Sequence, residues 1–194
     1  MKIVTVLGSP RLKGNTNHVL SIFEKAVSTD HVVERINVVS QNIKYCQGCF
    51  TCKKTTTEPG CPIEDDVPVL FDKLMAADAI VYATPLYGKS CTAQLKTFLD
   101  RHYALVNFLN WEKGETTSLL AGKHAAFLAT CGGPLDDINT GVIKKESHVF
   151  HWVMKTHDIG LYMVPHCIKP DMIGEKGEKA AMVLSTKVEG IKGE

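Results

Sequence analysis

Nowhere in the 194 residues does an apolar run approach the roughly 20 positions that a membrane-spanning helix needs. Charge of either sign is also not in excess. The 22 lysines and arginines against 21 acidic residues leave a formal net charge of +1, which removes the electrostatic case for nucleic acid or a membrane surface as partner. Internal repeats, low-complexity tracts and an inter-domain linker are missing too, so one domain over 1–194 is expected. The first apolar run, Ile3 to Leu7, ends at Gly8. It is too short for a signal-peptide core and has no small-residue cleavage pattern after it, so a cytoplasmic protein is expected. Stable disulfides are rare in that compartment. Seven cysteines are nevertheless present, and four of them fall between Cys46 and Cys61.

The apolar pattern alternates between two kinds of segment. Ile3–Leu7, Val32–Val39, Ala79–Ala83, about 124–130 and Gly160–Val164 read as strands, mostly continuous and rich in β-branched or small residues. Between them lie helical periods. Thr16 is placed to cap a helix with Val19, Ile22, Phe23, Ala26 and Val27 on one face. Asp65-Asp66 opens a short helix with Val67, Leu70, Phe71 and Leu74 inward. Leu95, Phe98, Leu99, Tyr103 and Val106 predict a third helix, Val142 to Val153 a fourth, and 175–188 a last one burying Ala180, Val183, Leu184 and Val188. Near-continuous apolar strands alternating with helices argue an α/β fold with a parallel sheet covered on both faces. Five units fit the flavodoxin-like doubly wound order 2-1-3-4-5, in which ligands sit beyond the carboxyl ends of the first and third strands.

Those ends carry unusual loops. "GSPRLKGNT" follows the first strand and opens a helix, where free N–H groups and the helix dipole favour an anion. Ser9, Asn15 and Thr16 are short donors, and Arg11 offers a fork to phosphate oxygens. The Gly-Lys-Ser/Thr ending of a triphosphate loop is missing, and so is G-x-G-x-x-G, which leaves a phosphate monoester as the better fit. "TPLYG" ends the third strand and "TCGGP" the fourth, bringing three special turns to one rim.

Cys46, Cys49 and Cys52, at C-x2-C-x2-C spacing, place three thiols on one tight loop, and Cys61-Pro62 supplies a fourth after eight residues. Three readings stay open: a four-iron cluster, redox or structural thiols, and zinc. The loop of about 43–65 starts beside the end of the second strand, so it is expected to reach the rim or a neighbouring subunit. Cys91 and Cys167 read as small buried hydrophobes. His102, His148, His151 and His157 are placed in or at the ends of helices and read as surface or interface groups, and Trp111 and Trp152 as packing or subunit-contact residues.

In order and spacing, "GSPRLKGNT", "TPLYGKSCTAQLKTFLDR" and "TCGGP" resemble the flavodoxin-like NADPH-dependent FMN reductases. With the cysteine stretch followed by Asp65-Asp66, the chain is similar to the iron–sulfur flavoprotein branch of that family over residues 1 to about 165. The resemblance implies FMN as cofactor. Its phosphate would lie at Ser9, Arg11, Asn15 and Thr16, and its ring at Pro85, Leu86, Tyr87 and Gly88 and at Thr130, Cys131, Gly132 and Gly133. It implies a [4Fe-4S] cluster at Cys46, Cys49, Cys52 and Cys61, although the last gap is longer than is usual in the branch. It further implies an oxidoreductase taking electrons from NAD(P)H or a ferredoxin-like protein donor and passing them to a small-molecule acceptor. The expected assembly is a homodimer or homotetramer. No side chain is assigned a catalytic role, because the cofactor carries the chemistry. The alternatives are a cluster-free NAD(P)H-dependent FMN or quinone reductase and, less favoured, a non-enzymatic flavodoxin-type carrier.

Overall fold

A computed structural model describes residues 1–55, 57–110, 112–169 and 172–191. Trp111 lies outside them. In chain order the elements are β1 (Lys2–Leu7), α1 (Asn15–Val27), β2 (Val32–Asn37), α2 (Val67–Met75), β3 (Ala79–Pro85), α3 (Ala93–Arg101), β4 (Val106–Asn110), β5 (Glu115–Ser118), β6 (His124–Thr130), α4 (Asp137–Met154), β7 (His157–Val164) and α5 (Gly174–Gly190). Five strands form one sheet in the order β2-β1-β3-β6-β7, every neighbouring pair parallel. This is the flavodoxin-like order, with β4 and β5 inserted as a separate antiparallel pair.

The central strands are apolar throughout because both of their faces are covered. Successive side chains alternate between two cores. Val4, Val6, Ile80, Tyr82 and Phe127 meet Phe71 of α2, Leu95 and Phe98 of α3 and Phe150 of α4. Ile3, Leu7, Val81, Ala83 and Leu128 meet Val19 and Phe23 of α1 and Leu184 and Val188 of α5. The switch point is drawn tight by Gly8. Its N–H donates to Ala83 O at 2.8 Å, its carbonyl accepts from Thr92 Oγ1 at 2.6 Å, and a Cβ there would stand 2.6 Å from Leu95 Cβ. Gly8→Ala is therefore expected to cost about 1–3 kcal/mol by overpacking, read as a lower urea midpoint at unchanged m. An unshifted midpoint would show that β1 and α3 have slack.

Several local expectations need correction. α3 stops at Arg101. A 3-10 turn, His102–Leu105, follows, and Val106 begins β4 rather than closing the helix. Thr16 lies inside α1, whose N-cap is Gly14, and its Oγ1 meets Thr130 Oγ1 at 2.7 Å. In α5 the inward residues are Ala181, Leu184, Ser185 and Val188, leaving Val183 exposed. β2 ends at Asn37 and β7 begins at His157, which is thus a strand residue. His102 is not a surface group. It is fully buried, with Nε2 against Tyr82 Oη at 2.9 Å and Nδ1 against Phe98 O at 2.8 Å. Burial pushes its pKa down to about 4, so the ring is neutral near pH 7. His151 is buried as well, while Trp152 is exposed. Among the described residues no helix is long and apolar enough to cross a membrane.

Candidate functional site

Beyond the carboxyl ends of β1, β3 and β6 the three predicted loops meet around a cavity of about 560 Å3. Backbone bonds tie them together. Leu86 N–H donates to Thr130 O at 2.8 Å and Cys131 N–H to Val164 O at 2.9 Å. Ser9, Arg11, Asn15, Thr16, Pro85, Leu86, Tyr87, Thr130, Cys131 and Gly132 all line the cavity. Gly88 and Gly133 do not. They line an adjoining pocket of about 130 Å3 with Lys89 and Asn139. Gly88 (φ 57°) and Lys89 (φ 72°) form a two-residue reversal in which Tyr87 and Ser90 exchange backbone bonds at 3.0 and 3.2 Å. This turn presents Tyr87, half-exposed, at the cavity mouth.

The electrostatics suit an anion. α1 opens on Gly14, which has no side chain to cap it, and its first turn contains no acidic residue. Its leading N–H groups therefore face the cavity without a side-chain acceptor of their own. Arg11 and Lys13 stand at the same mouth. Asn15 Nδ2 donates to Cys167 O at 2.7 Å and Lys169 O at 3.2 Å, and its buried Oδ1 has no protein partner. That buried acceptor is available to a hydroxyl or amide of a ligand or to water. A pocket of this size is ordinary for a cofactor. Cys167 and Ile168 also line it, and sequence reasoning missed them because an isolated cysteine reads as a small buried hydrophobe and an isoleucine as core. Burial pushes the Cys167 thiol up to about 11 and raises that of Cys131, so both pack as neutral thiols near pH 7.

The cysteine loop lies elsewhere. Cys46, Cys49, Cys52 and Cys61 line one small void of about 20 Å3, with Phe50, Arg101 and Tyr103 beside them; Cys46 and Cys49 are exposed and Cys52 is buried. Gly48 (φ 64°) and Phe50 (φ 58°) adopt left-handed backbone there and curl the loop around the sulfurs. Burial raises the Cys52 thiol. Lys53 opposes that rise, and the charges of Cys61, Cys46 and Cys49 add to it, so the four sulfurs share one field. A hydrogen bond from the Thr51 side chain lowers the Cys49 thiol. Lys53 pins the loop to the body: its Nζ donates to Tyr103 O and Val106 O and lies 3.8 Å from the Tyr103 ring centroid. Among the described residues, these thiols do not stand as a preset group of three or more metal ligands. The donor chemistry nonetheless fits a thiolate-held centre: four sulfurs around one void with cationic neighbours.

Within one chain the rim cavity and the cysteine void have different linings. Among the described residues none lines both, although Ile43, at the start of the loop, borders a pocket with Pro10 of the first rim loop. Along α4, Glu146 holds Ser90 of the rim turn (2.5 Å), whereas Met154 borders a pocket shared with Cys46. Eight residues of helix separate the two levels by about 12 Å.

The chain is similar to several known proteins. The NADPH-dependent FMN reductase family matches residues 1–164. An iron-sulfur flavoprotein of Archaeoglobus fulgidus is 38% identical over 191 residues, which is 97% of this chain and 79% of that protein. An iron-sulfur flavoprotein of Methanocaldococcus jannaschii is 35% identical over 102 residues, a match spanning 52% of this chain and 51% of its own length. Among solved structures, the NAD(P)H:quinone oxidoreductase from Methanothermobacter marburgensis superposes with a TM-score of 0.74 at 18% identity, covering 98% of each chain. At that identity the likeness concerns the fold.

Proposed function

The chain belongs to the NADPH-dependent FMN reductase family, in its iron–sulfur flavoprotein branch, and from that premise we propose that it moves electrons from NAD(P)H or a ferredoxin-like protein to a small-molecule acceptor through FMN and a [4Fe-4S] cluster. It is a flavin-dependent oxidoreductase. The observation that carries the reading is the meeting of three loops at the open N-terminus of α1, around a cavity holding an unpartnered Asn15 Oδ1. When bound, FMN accepts hydride from a nicotinamide and releases electrons singly or in pairs.

The chain's own residues do the rest. Arg11, Lys13 and the α1 N–H groups would hold the phosphate. Ser9 and Thr16 would bound the same end of the cavity, their hydroxyls held by Arg11 O and Thr130 Oγ1. Pro85 to Gly88 and Thr130 to Gly133 would bound the ring, with Tyr87 covering its exposed side and backbone N–H groups facing the ring atoms where charge builds on reduction. Cys46, Cys49, Cys52 and Cys61 would hold the cluster. The expected assembly is a homodimer or homotetramer. Exposed Ile138 and Trp152 on α4 offer apolar surface for it.

Anaerobic purification followed by an absorption spectrum, iron and sulfide analysis tests the reading. Wild-type protein is expected to show flavin bands over a broad brown shoulder. Cys52→Ala is expected to lose the shoulder, with iron and sulfide falling at least tenfold, while FMN stays at wild-type stoichiometry. Flavin bands without iron in the wild type would reduce the reading to a cluster-free FMN or quinone reductase. Loss of FMN along with iron in Cys52→Ala would mean the two sites are wrongly divided.

A further inference from the structure

Arg101, the last residue of α3, is the bulkiest of the fully buried side chains, and it faces the cysteine loop rather than solvent. Its counter-charge is Asp65, the two side chains both at 0% exposure. The carboxylate is itself fixed by Lys44 N–H at 2.9 Å and Val67 N–H at 3.1 Å. The pairing is lopsided. Nη1 donates to Asp65 Oδ2 at 2.5 Å and to Lys44 O at 2.8 Å. Nη2 reaches Asp65 Oδ1 only at 3.3 Å and donates equally, at 3.3 Å, to Cys61 Sγ. Nε has no partner. A guanidinium serving the carboxylate alone would present two matched short bonds. This one is turned toward the sulfur. The other cation at the site, Lys53, spends its ammonium on two carbonyls and an aromatic face.

We infer that Arg101, oriented by Asp65, is the hydrogen-bond donor that raises the reduction potential of the centre held at Cys61. The inference rests on the cluster reading above. A thiolate-held centre gains one negative charge when it accepts an electron from the reduced flavin, with no bond made or broken. An N–H···S bond and a fixed positive charge stabilise the reduced form more than the oxidised form. Hydrogen bonds to the sulfurs are among the levers that set such potentials.

The test is a spectroscopically monitored redox titration of anaerobically purified, FMN-replete protein. Arg101→Lys keeps a positive charge opposite Asp65 but loses the second arm of the fork. Arg101→Met combined with Asp65→Asn removes donor and both charges without leaving a lone buried ion. In each, the one-electron equilibrium of the centre is expected to shift at least tenfold toward the oxidised form, 59 mV for a one-electron couple, with iron, sulfide and FMN per chain unchanged. Two results would overturn the inference. One is a shift below twofold in both iron-loaded variants. The other is loss of iron from both while the chain stays folded and FMN-bound, which would make Arg101 a strut for the loop. Wild-type protein that binds FMN and contains no iron would instead remove the cluster reading itself, and this inference with it.

Discussion

Asp65→Ala is expected to lower the free energy of unfolding by about 3–5 kcal/mol, because it leaves Arg101 buried with its charge unpaired. That is a large part of the 5–15 kcal/mol typical of a domain. Asp66→Ala, one position along, is the control. Asp66 Oδ2 accepts from Asn42 N–H at 2.7 Å in an exposed setting, and its loss should cost about 1 kcal/mol. Urea unfolding at saturating FMN separates the two. Equal effects would show that the buried pair is not what holds the cysteine loop to α3. The pH dependence has a defined sign. Burial alone would raise the Asp65 carboxyl, but the Arg101 hydrogen bond and the Lys44 and Val67 N–H groups outweigh it and hold the pKa below its ordinary value. The unfolded chain therefore binds this proton first, and stability rises with pH through the window. The contribution is complete above the unfolded carboxylate value, about 3.9, and is lost as pH falls through the lower folded value. Asp65→Asn should flatten that part of the acid limb.

This pair shows where sequence reasoning stops. Asp65 was legible as an acidic residue opening α2, whereas Arg101 fell unremarked within the helix expected from Leu95 to Val106. Each has an ordinary local explanation, and nothing local reveals a contact across 36 positions. The sheet was legible because burial on both faces leaves near-continuous apolar runs at Ile3–Leu7, Ala79–Ala83 and 124–130, each closed by a turn signal. The β4–β5 pair was hidden because Leu99, Tyr103 and Val106 keep helical spacing while the chain passes from α3 through a 3-10 turn into a strand. At the rim, glycine and proline announce a loop that must approach a ligand, and they brought out ten of the residues that line the cavity. Cys167 and Ile168 were missed although Pro165 opens their loop, because neither residue type points to a ligand on its own. They enter because β7 pairs beside β6 and delivers its following loop to the same edge. Thr16 lines the cavity as the loop pattern suggested, but it does not cap α1: its hydroxyl links that helix to the end of β6.

The placement of the phosphate can be separated from the placement of the ring. Arg11 lines the cavity mouth beside Lys13 and the start of α1. Removing one charge-assisted bond to a phosphate costs about 1.5–3 kcal/mol, or roughly 10- to 100-fold in affinity. Arg11 is exposed, so the effect in Arg11→Ala should lie at the lower end and shrink with added salt. Riboflavin has the same ring without the phosphate, and its affinity should not change. Gly132→Val provides the converse. A Cβ at Gly132 would stand 3.1 Å from Ile168 Cγ1, and the branched side chain would intrude where the ring is assigned, weakening FMN and riboflavin alike by tenfold or more. Titrating both ligands against both variants by flavin fluorescence gives four affinities. If Arg11→Ala weakened riboflavin as much as FMN, the loop after β1 would not be the phosphate site. If Gly132→Val spared both ligands, the ring would have to lie away from the loop after β6, and only the helix terminus would remain of the site.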